Sequence, residues 1–168
     1  MKKFIKTLMR ENKIQIVKET GNLVESYIEK SDTSLKSAEL LFNNMLYETS
    51  VSMSYYAMYH ITLAMLYKYT VKCENHTAAI MILKLIGEKD LSKKLHYAKK
   101  ERIDKQYYAD FSATSEDAEA LLKDAKDFIS KIKSKIIMLS NPEKKKLIEK
   151  LKEIKKGKKI KKSSDSSK

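Results

Sequence analysis

Turn-forming residues and reactive sulfur are nearly missing from this chain. Its 168 residues include three glycines, one proline, one cysteine and no tryptophan. Sandwiches, barrels and glycine-rich phosphate loops need glycine or proline at their corners, so there is nothing here to build them from. The lone Cys73 permits neither an intrachain disulfide nor a cysteine-based zinc cluster, which fits a reducing, cytoplasmic setting. Long apolar runs are also lacking. The longest aliphatic stretch runs only from Ala78 to Leu83, whereas a spanning helix needs about 20 residues. The opening MKKFIKTLMRENK interrupts its apolar pairs, Phe4-Ile5 and Leu8-Met9, with Lys6-Thr7 and stops them at Arg10. It reads as the start of an amphipathic helix rather than a signal peptide, and no integral membrane association is expected.

Arginine is scarce in a chain that is otherwise strongly basic. Lys+Arg total 35 against 22 Asp+Glu, a formal charge of +13, yet only Arg10 and Arg102 are arginine. Lysine-rich, tryptophan-free composition is partly a proteome habit of AT-rich or heat-adapted genomes, so the total alone says little about partners. Its distribution says more. Residues 141–168 carry +8 and residues 1–140 the remaining +5.

What is present is helical. The chain is 42% hydrophobic and 34% charged, enough for a core and for a soluble surface. Residues 3–30 are helical in pattern, with Gly21-Asn22 a plausible break. Leu35, Ala38, Leu41, Phe42 and Met45 follow the spacing of one helical face up to about residue 46. From Glu48 to Tyr69, Ser50, Ser54 and Ala57 form a small-residue ridge on a helix otherwise apolar almost all round, which belongs at the centre of a bundle. Asn75 is placed to cap a short helix that Gly87 ends, and a further helix spans Asp90 to Tyr108. Thr114-Ser115-Glu116-Asp117 resembles a capping box before a stripe from Ala118 to Ile136. Asn141-Pro142 restarts a helix as N-cap and first-turn proline, with Leu147, Ile148, Leu151 and Ile154 on one side. The fold expected is all-α, an up-and-down bundle of four to five helices. Residues 1–29 form a helical extension, 30–140 the bundle, 141–157 a basic amphipathic helix, and 158–168 a disordered Lys/Ser tail.

No spacing announces an enzyme. There are three histidines, His60, His76 and His96, and no Glu-x-x-His or His-Glu-x-x-His pair, so neither a metal nor a cofactor is expected. The stretch Ser54-Tyr55-Tyr56-Ala57-Met58-Tyr59-His60 stands out, because Tyr56 and His60 at i, i+4 can bring a hydroxyl and an imidazole together. Two readings stand, a buried hydrogen-bond network and a ligand contact. Arg102 is the other oddity. One arginine in a lysine-writing globular region suggests that its planar fork is needed, for a structural carboxylate or for a phosphate. The basic C-terminal helix has three readings: a membrane surface, a nucleic-acid backbone, or plain solvation.

With those residues placed, the order of motifs resembles the HEPN family (higher eukaryotes and prokaryotes nucleotide-binding), in its small stand-alone prokaryotic and archaeal branch. Ser54 to His60 looks like the branch's Tyr-Tyr-Ala-Met-Phe-His helix, Asn75-His76-Thr77 is similar to its Thr-His-Ser, and Arg102 with Tyr107 matches its Arg followed by Ala-Asp-Tyr. Ser115 to Ile132 looks like the closing helix. Gln106 departs from the family's Asp, and Asn75 from its Thr. The resemblance implies a homodimeric helical bundle, often acting beside a minimal nucleotidyltransferase in a toxin–antitoxin pair. Many HEPN toxins are RNases with an Arg-x(4–6)-His motif. Neither arginine here has a histidine at those offsets: Arg10 is followed by Gln15, Ile16 and Val17, and Arg102 by Tyr107, Tyr108 and Ala109. The expectation is therefore a nucleotide- or RNA-binding module using Arg102, Tyr56, His60, His76 and Tyr107. The alternatives are a divergent metal-independent RNase, with Arg102 and His60 or His76 as its catalytic groups, and a purely structural helical dimer.

Overall fold

The computed structural model describes residues 1–18, 21–107 and 112–157, the side chains of residues 106 and 107 excepted. The expected tail, 158–168, lies outside the described residues. Seven helices appear among them: α1 (Lys2–Arg10), α2 (Gly21–Asn43), α3 (Tyr47–Lys68), α4 (His76–Leu85), α5 (Lys89–Tyr107), α6 (Ser115–Met138) and α7 (Asn141–Lys156). The all-α bundle follows the expectation, with α3 at its centre and α2, α5 and α6 packed directly on it.

The small-residue ridge explains how α2 approaches α3 so closely. Ser50, Ser54 and Ala57 are fully buried. With no bulk between the helices, Ser31 Oγ on α2 reaches Ala57 O at 2.8 Å, and Ser50 Oγ on α3 reaches Ala38 O at 2.8 Å. Each of these two hydroxyls supplies a buried polar contact at the crossing rather than an unsatisfied group. α6 lays its whole predicted stripe, including Ala118, Leu121, Ala125, Phe128, Ile132 and Ile136, into the core. Its start is the anticipated capping box, Thr114 with Asp117. Lys105 Nζ, 2.8 Å from Asp117 Oδ2, joins the same carboxylate, and these contacts hold it below the usual carboxylate range.

Two local readings need correction. First, residues 3–30 are not continuously helical. α1 stops at Arg10, the chain turns through Asn12 at φ 58°, and Ile14–Ile16 forms strand β1. β1 pairs antiparallel with β2 (Val71–Cys73), registering Ile14 with Cys73 and Ile16 with Val71. Thr70, at φ 60°, makes the turn from α3 into β2. Both three-residue strands alternate apolar and polar, but that pattern is too short to separate from a helical face. α2 then runs unbroken from Gly21 through residue 30 to Asn43, so Gly21 opens a helix instead of breaking one, and the stripe from Leu35 belongs to its second half. Second, the N-cap of α7 is Ser140, one residue before Asn141. The Glu143 carboxylate accepts from the Ser140 amide at 3.0 Å and from its hydroxyl at 2.6 Å.

The ribbon matters because it ties the N-terminal segment to the end of α3 and leaves α1 lying on α7. The buried residues of α1 are Ile5, Leu8 and Met9, and those of α7 are Leu147, Leu151 and Ile154. The apolar face of the basic helix is thus already covered.

Candidate functional site

α3 carries a row of aromatic side chains on the side facing α4 and α5. Tyr55 and Tyr59, at i, i+4, stack 6.1 Å apart, and Tyr56 and His60 repeat the arrangement at 6.1 Å. Asn75 caps α4 by accepting from the Ala78 amide at 2.9 Å, which sets His76 as the first residue of the helix. From there the His76 imidazole stacks on the Tyr59 ring at 3.9 Å and 9°, and its Nδ1 is hydrogen-bonded to the Tyr55 hydroxyl.

Arg102 comes from α5. Its guanidinium lies 5.3 Å from the centre of the Tyr55 ring and 5.6 Å from that of Tyr56, within the range of cation–π attraction. One N–H donates to the Tyr56 hydroxyl at 3.2 Å. One turn earlier, Lys99 Nζ donates to Thr77 Oγ1 at 2.7 Å, which brings a second cation to the mouth of α4.

Electrostatics follow from this crowding of positive groups on aromatic walls. Burial pushes the His76 pKa below its ordinary value, and Arg102, Lys99 and His60 push in the same direction. Burial and Arg102 also lower Lys99. Burial raises the Tyr55 hydroxyl well above the usual phenol range, so Tyr55 keeps its proton at neutral pH. The neutral imidazole carries one ring proton, and which group donates in the Tyr55–His76 Nδ1 hydrogen bond follows from the His76 tautomer. At His60 a third group bears on the direction. Ser34 Oγ donates to Lys30 O at 2.8 Å, so its lone pair is what faces His60 Nδ1 at 3.2 Å, and the His60 proton sits on Nδ1. Burial lowers the His60 pKa as well.

Four of the five predicted residues, Arg102, Tyr56, His60 and His76, come together around a half-buried edge of α3. Tyr107 lies at the last position of α5, and its side chain is outside the described residues. His96 stands exposed on α5, away from this network. Tyr55, Tyr59, Thr77 and Lys99 were not among the expected site residues. The signal for the tyrosines was their i, i+4 spacing next to Tyr56, and for Lys99 its place one turn before Arg102. Among the described residues, no group of three His, Cys, Asp or Glu could hold a metal ion, and no helix is long and apolar enough to cross a membrane.

The arrangement can attract one compact anion. Two cations and two neutral imidazoles share a partly desolvated patch, where a charge-assisted hydrogen bond is stronger than in open water. Comparison with known proteins identifies the fold's relatives. A family model described as the HEPN domain matches residues 24–136. The chain is 29% identical over 120 residues to "Putative toxin MJ0142" of Methanocaldococcus jannaschii, an alignment covering 68% of this chain and 82% of that protein. It is 26% identical over 115 residues to "Putative toxin MJ0605" of the same organism, covering 66% and 86%.

Proposed function

Because the chain belongs to the HEPN family, we propose that it is a toxin-type HEPN module that binds a nucleotide or RNA phosphate through Arg102 and works with a minimal nucleotidyltransferase partner. The observation that carries this reading is the Arg102 guanidinium held against Tyr55 and Tyr56 beside Lys99 and a neutral His76. Rings on one side fix the plane of the fork before a ligand arrives, and preorganisation of this kind lowers the ordering cost of binding. Tyr56, His60 and His76 shape the site around it. The working unit is the helical bundle from α2 to α6, acting as a cytoplasmic homodimer, with the segment before α2 and α7 as additions to it.

One observation favours a second reading. Tyr55 touches both Arg102 and His76, so a cation and a proton-carrying imidazole share one support. In a divergent RNase, Arg102 would polarise the phosphate while the histidine handles the proton of the ribose 2′-hydroxyl. Calorimetry with ATP at physiological salt, and short RNA incubated with protein and EDTA, separate these readings. The binding module predicts ATP affinity that drops about 10–100-fold in Arg102→Ala, the range of one charged hydrogen bond, with the RNA left intact. ATP binding that Arg102→Ala leaves unchanged overturns the phosphate site. RNA cleavage that Arg102→Ala abolishes replaces the binding module with the RNase.

A further inference from the structure

The net charge is segregated more sharply than the tail alone suggests. Residues 1–10 carry +4, residues 141–157 carry +4 and residues 158–168 carry +4, which leaves +1 for residues 11–140. Lysine is common throughout, but in the central stretch acidic residues balance it. A uniform proteome habit would not produce that division, so the excess on α1 and α7 calls for its own account. Both helices lie wholly outside residues 24–136, the part matched by the family model.

Geometry joins the two helices into one surface. α1 packs against α7, and Ile5, Leu8 and Met9 of the one and Leu147, Leu151 and Ile154 of the other are buried. The flank of α1 that carries Lys2, Lys6 and Arg10 reaches the end of α7, where Lys6 Nζ lies 2.7 Å from where a Cβ on Gly157 would be. On α7, Lys145, Lys152 and Lys156 recur at i, i+7 and i+11 and so align along one side of the helix. All three are exposed, and among the described residues none of them forms an ion pair. The adjoining flank is basic too. Lys146 and Lys150 border a cavity of about 370 Å³ between α7 and the end of α4, where Lys84 joins them beside Tyr69 and Glu143. Lys150 Nζ anchors this side by donating to Leu85 O at 2.9 Å.

We propose that the α1–α7 pair is a polyanion platform that binds the phosphodiester backbone of a single-stranded nucleic acid without reading its sequence. A polymer fits the spacing, because cations repeated along a rigid helix meet phosphates repeated along a strand. Lysine ammoniums are point charges without the fork that reads base edges, which sets the contact to backbone alone. A membrane surface fits less well. Interfacial helices insert an apolar face between lipids, and here most of that face, Ile5, Leu8 and Met9 on α1 and Leu147, Leu151 and Ile154 on α7, is already buried within the protein.

The test uses the full chain, with a fluorescent 20-nucleotide RNA, the matching single-stranded DNA, and vesicles containing anionic lipid. Fluorescence anisotropy across a salt series is measured for the parent and for the Lys145→Ala/Lys152→Ala/Lys156→Ala variant, whose exposed positions leave the core intact and whose melting curve checks that. Both proteins are also measured with Arg102→Ala, so the result stands independently of the phosphate site proposed above. RNA and DNA should bind alike, and the triple variant should bind roughly tenfold more weakly. Its salt slope should be shallower by about 2, because each lost single-strand phosphate contact contributes about 0.7. Undiminished binding by the triple variant overturns the platform. Binding to RNA but not DNA assigns the contact to the 2′-hydroxyl and overturns it as well, as does binding to vesicles without binding to either strand.

Discussion

The molecule holds two positive regions that differ in everything except sign. Around α3, Arg102 and Lys99 are partly buried, and their environment is aromatic: the guanidinium lies against two tyrosine rings and the ammonium is tied to Thr77. On α1 and α7 the cations are many, mostly exposed, and carried on helices whose apolar sides face each other. Two partly desolvated cations in a fixed frame suit a single phosphate, whereas many solvated ones act only in number and are screened by salt. Charge count and charge environment therefore point to different regions, and the smaller count marks the more particular site.

The largest effects expected on stability come from the residues that hold each region in place. Tyr55 is fully buried under Arg102, and Leu151 is fully buried in the α7 seam. Tyr55→Ala should cost about 3–5 kcal/mol and Leu151→Ala about 2–5 kcal/mol in urea unfolding. The comparison breaks if Leu151→Ala also weakens ATP binding, because the platform would then be coupled to the site. A smaller cut is Tyr55→Phe, which keeps the ring and leaves His76 Nδ1 without its hydroxyl. About 0.5–1.5 kcal/mol is expected, the net worth of one half-buried hydrogen bond.

Arg102→Lys sharpens the contrast without changing net charge. If shape matters around α3, ATP affinity should fall roughly tenfold even though the cation remains, since an ammonium cannot reproduce the planar fork. Exchanging lysine for arginine at Lys152 should leave oligonucleotide affinity within about twofold, because a point charge suffices on the platform. An Arg102→Lys protein that binds ATP as well as the parent would reduce the site to plain electrostatic attraction.

Much of the bundle was legible because its signals are local and repeated. The stripe of α6, the all-round apolar α3 and the caps at Asn75 and Thr114 each express helical periodicity or one side chain bonding to nearby backbone. The β1–β2 ribbon was not legible. Three residues carry no period, and what fixes them is a partner strand far away in the chain. The site was half legible. Tyr56, His60, His76 and Arg102 stood out by rarity and spacing, while Lys99 was hidden among the many lysines and gains its meaning only from the turn of α5 that places it beside Thr77. The covered face of α7 was unreadable for a similar reason, since nothing within α7 says that α1 returns to meet it.

The smallest effect separates the two regions by pH. His60 and His76 are held below the ordinary histidine pKa of about 6.5, in both cases chiefly by burial. The folded state then binds fewer protons than the unfolded chain in this range, so the stability these groups contribute is present above the unfolded value and is lost as pH falls through the folded one. The urea midpoint should therefore be flat above about pH 7 and decline toward about pH 5, and the decline should be shallower in His76→Gln. α1 and α7 contain no histidine, so oligonucleotide binding to the platform should be constant over the same interval. Phosphate binding near Arg102 should instead strengthen on acidification, because an anion placed there favours the protonated His76 that Arg102 and Lys99 oppose in its absence. A dinucleoside monophosphate is the clean probe, since its single phosphodiester does not titrate across that interval. Pulling the two pH profiles apart with that probe requires His76 to face the bound phosphate, and identical profiles would place the anion elsewhere.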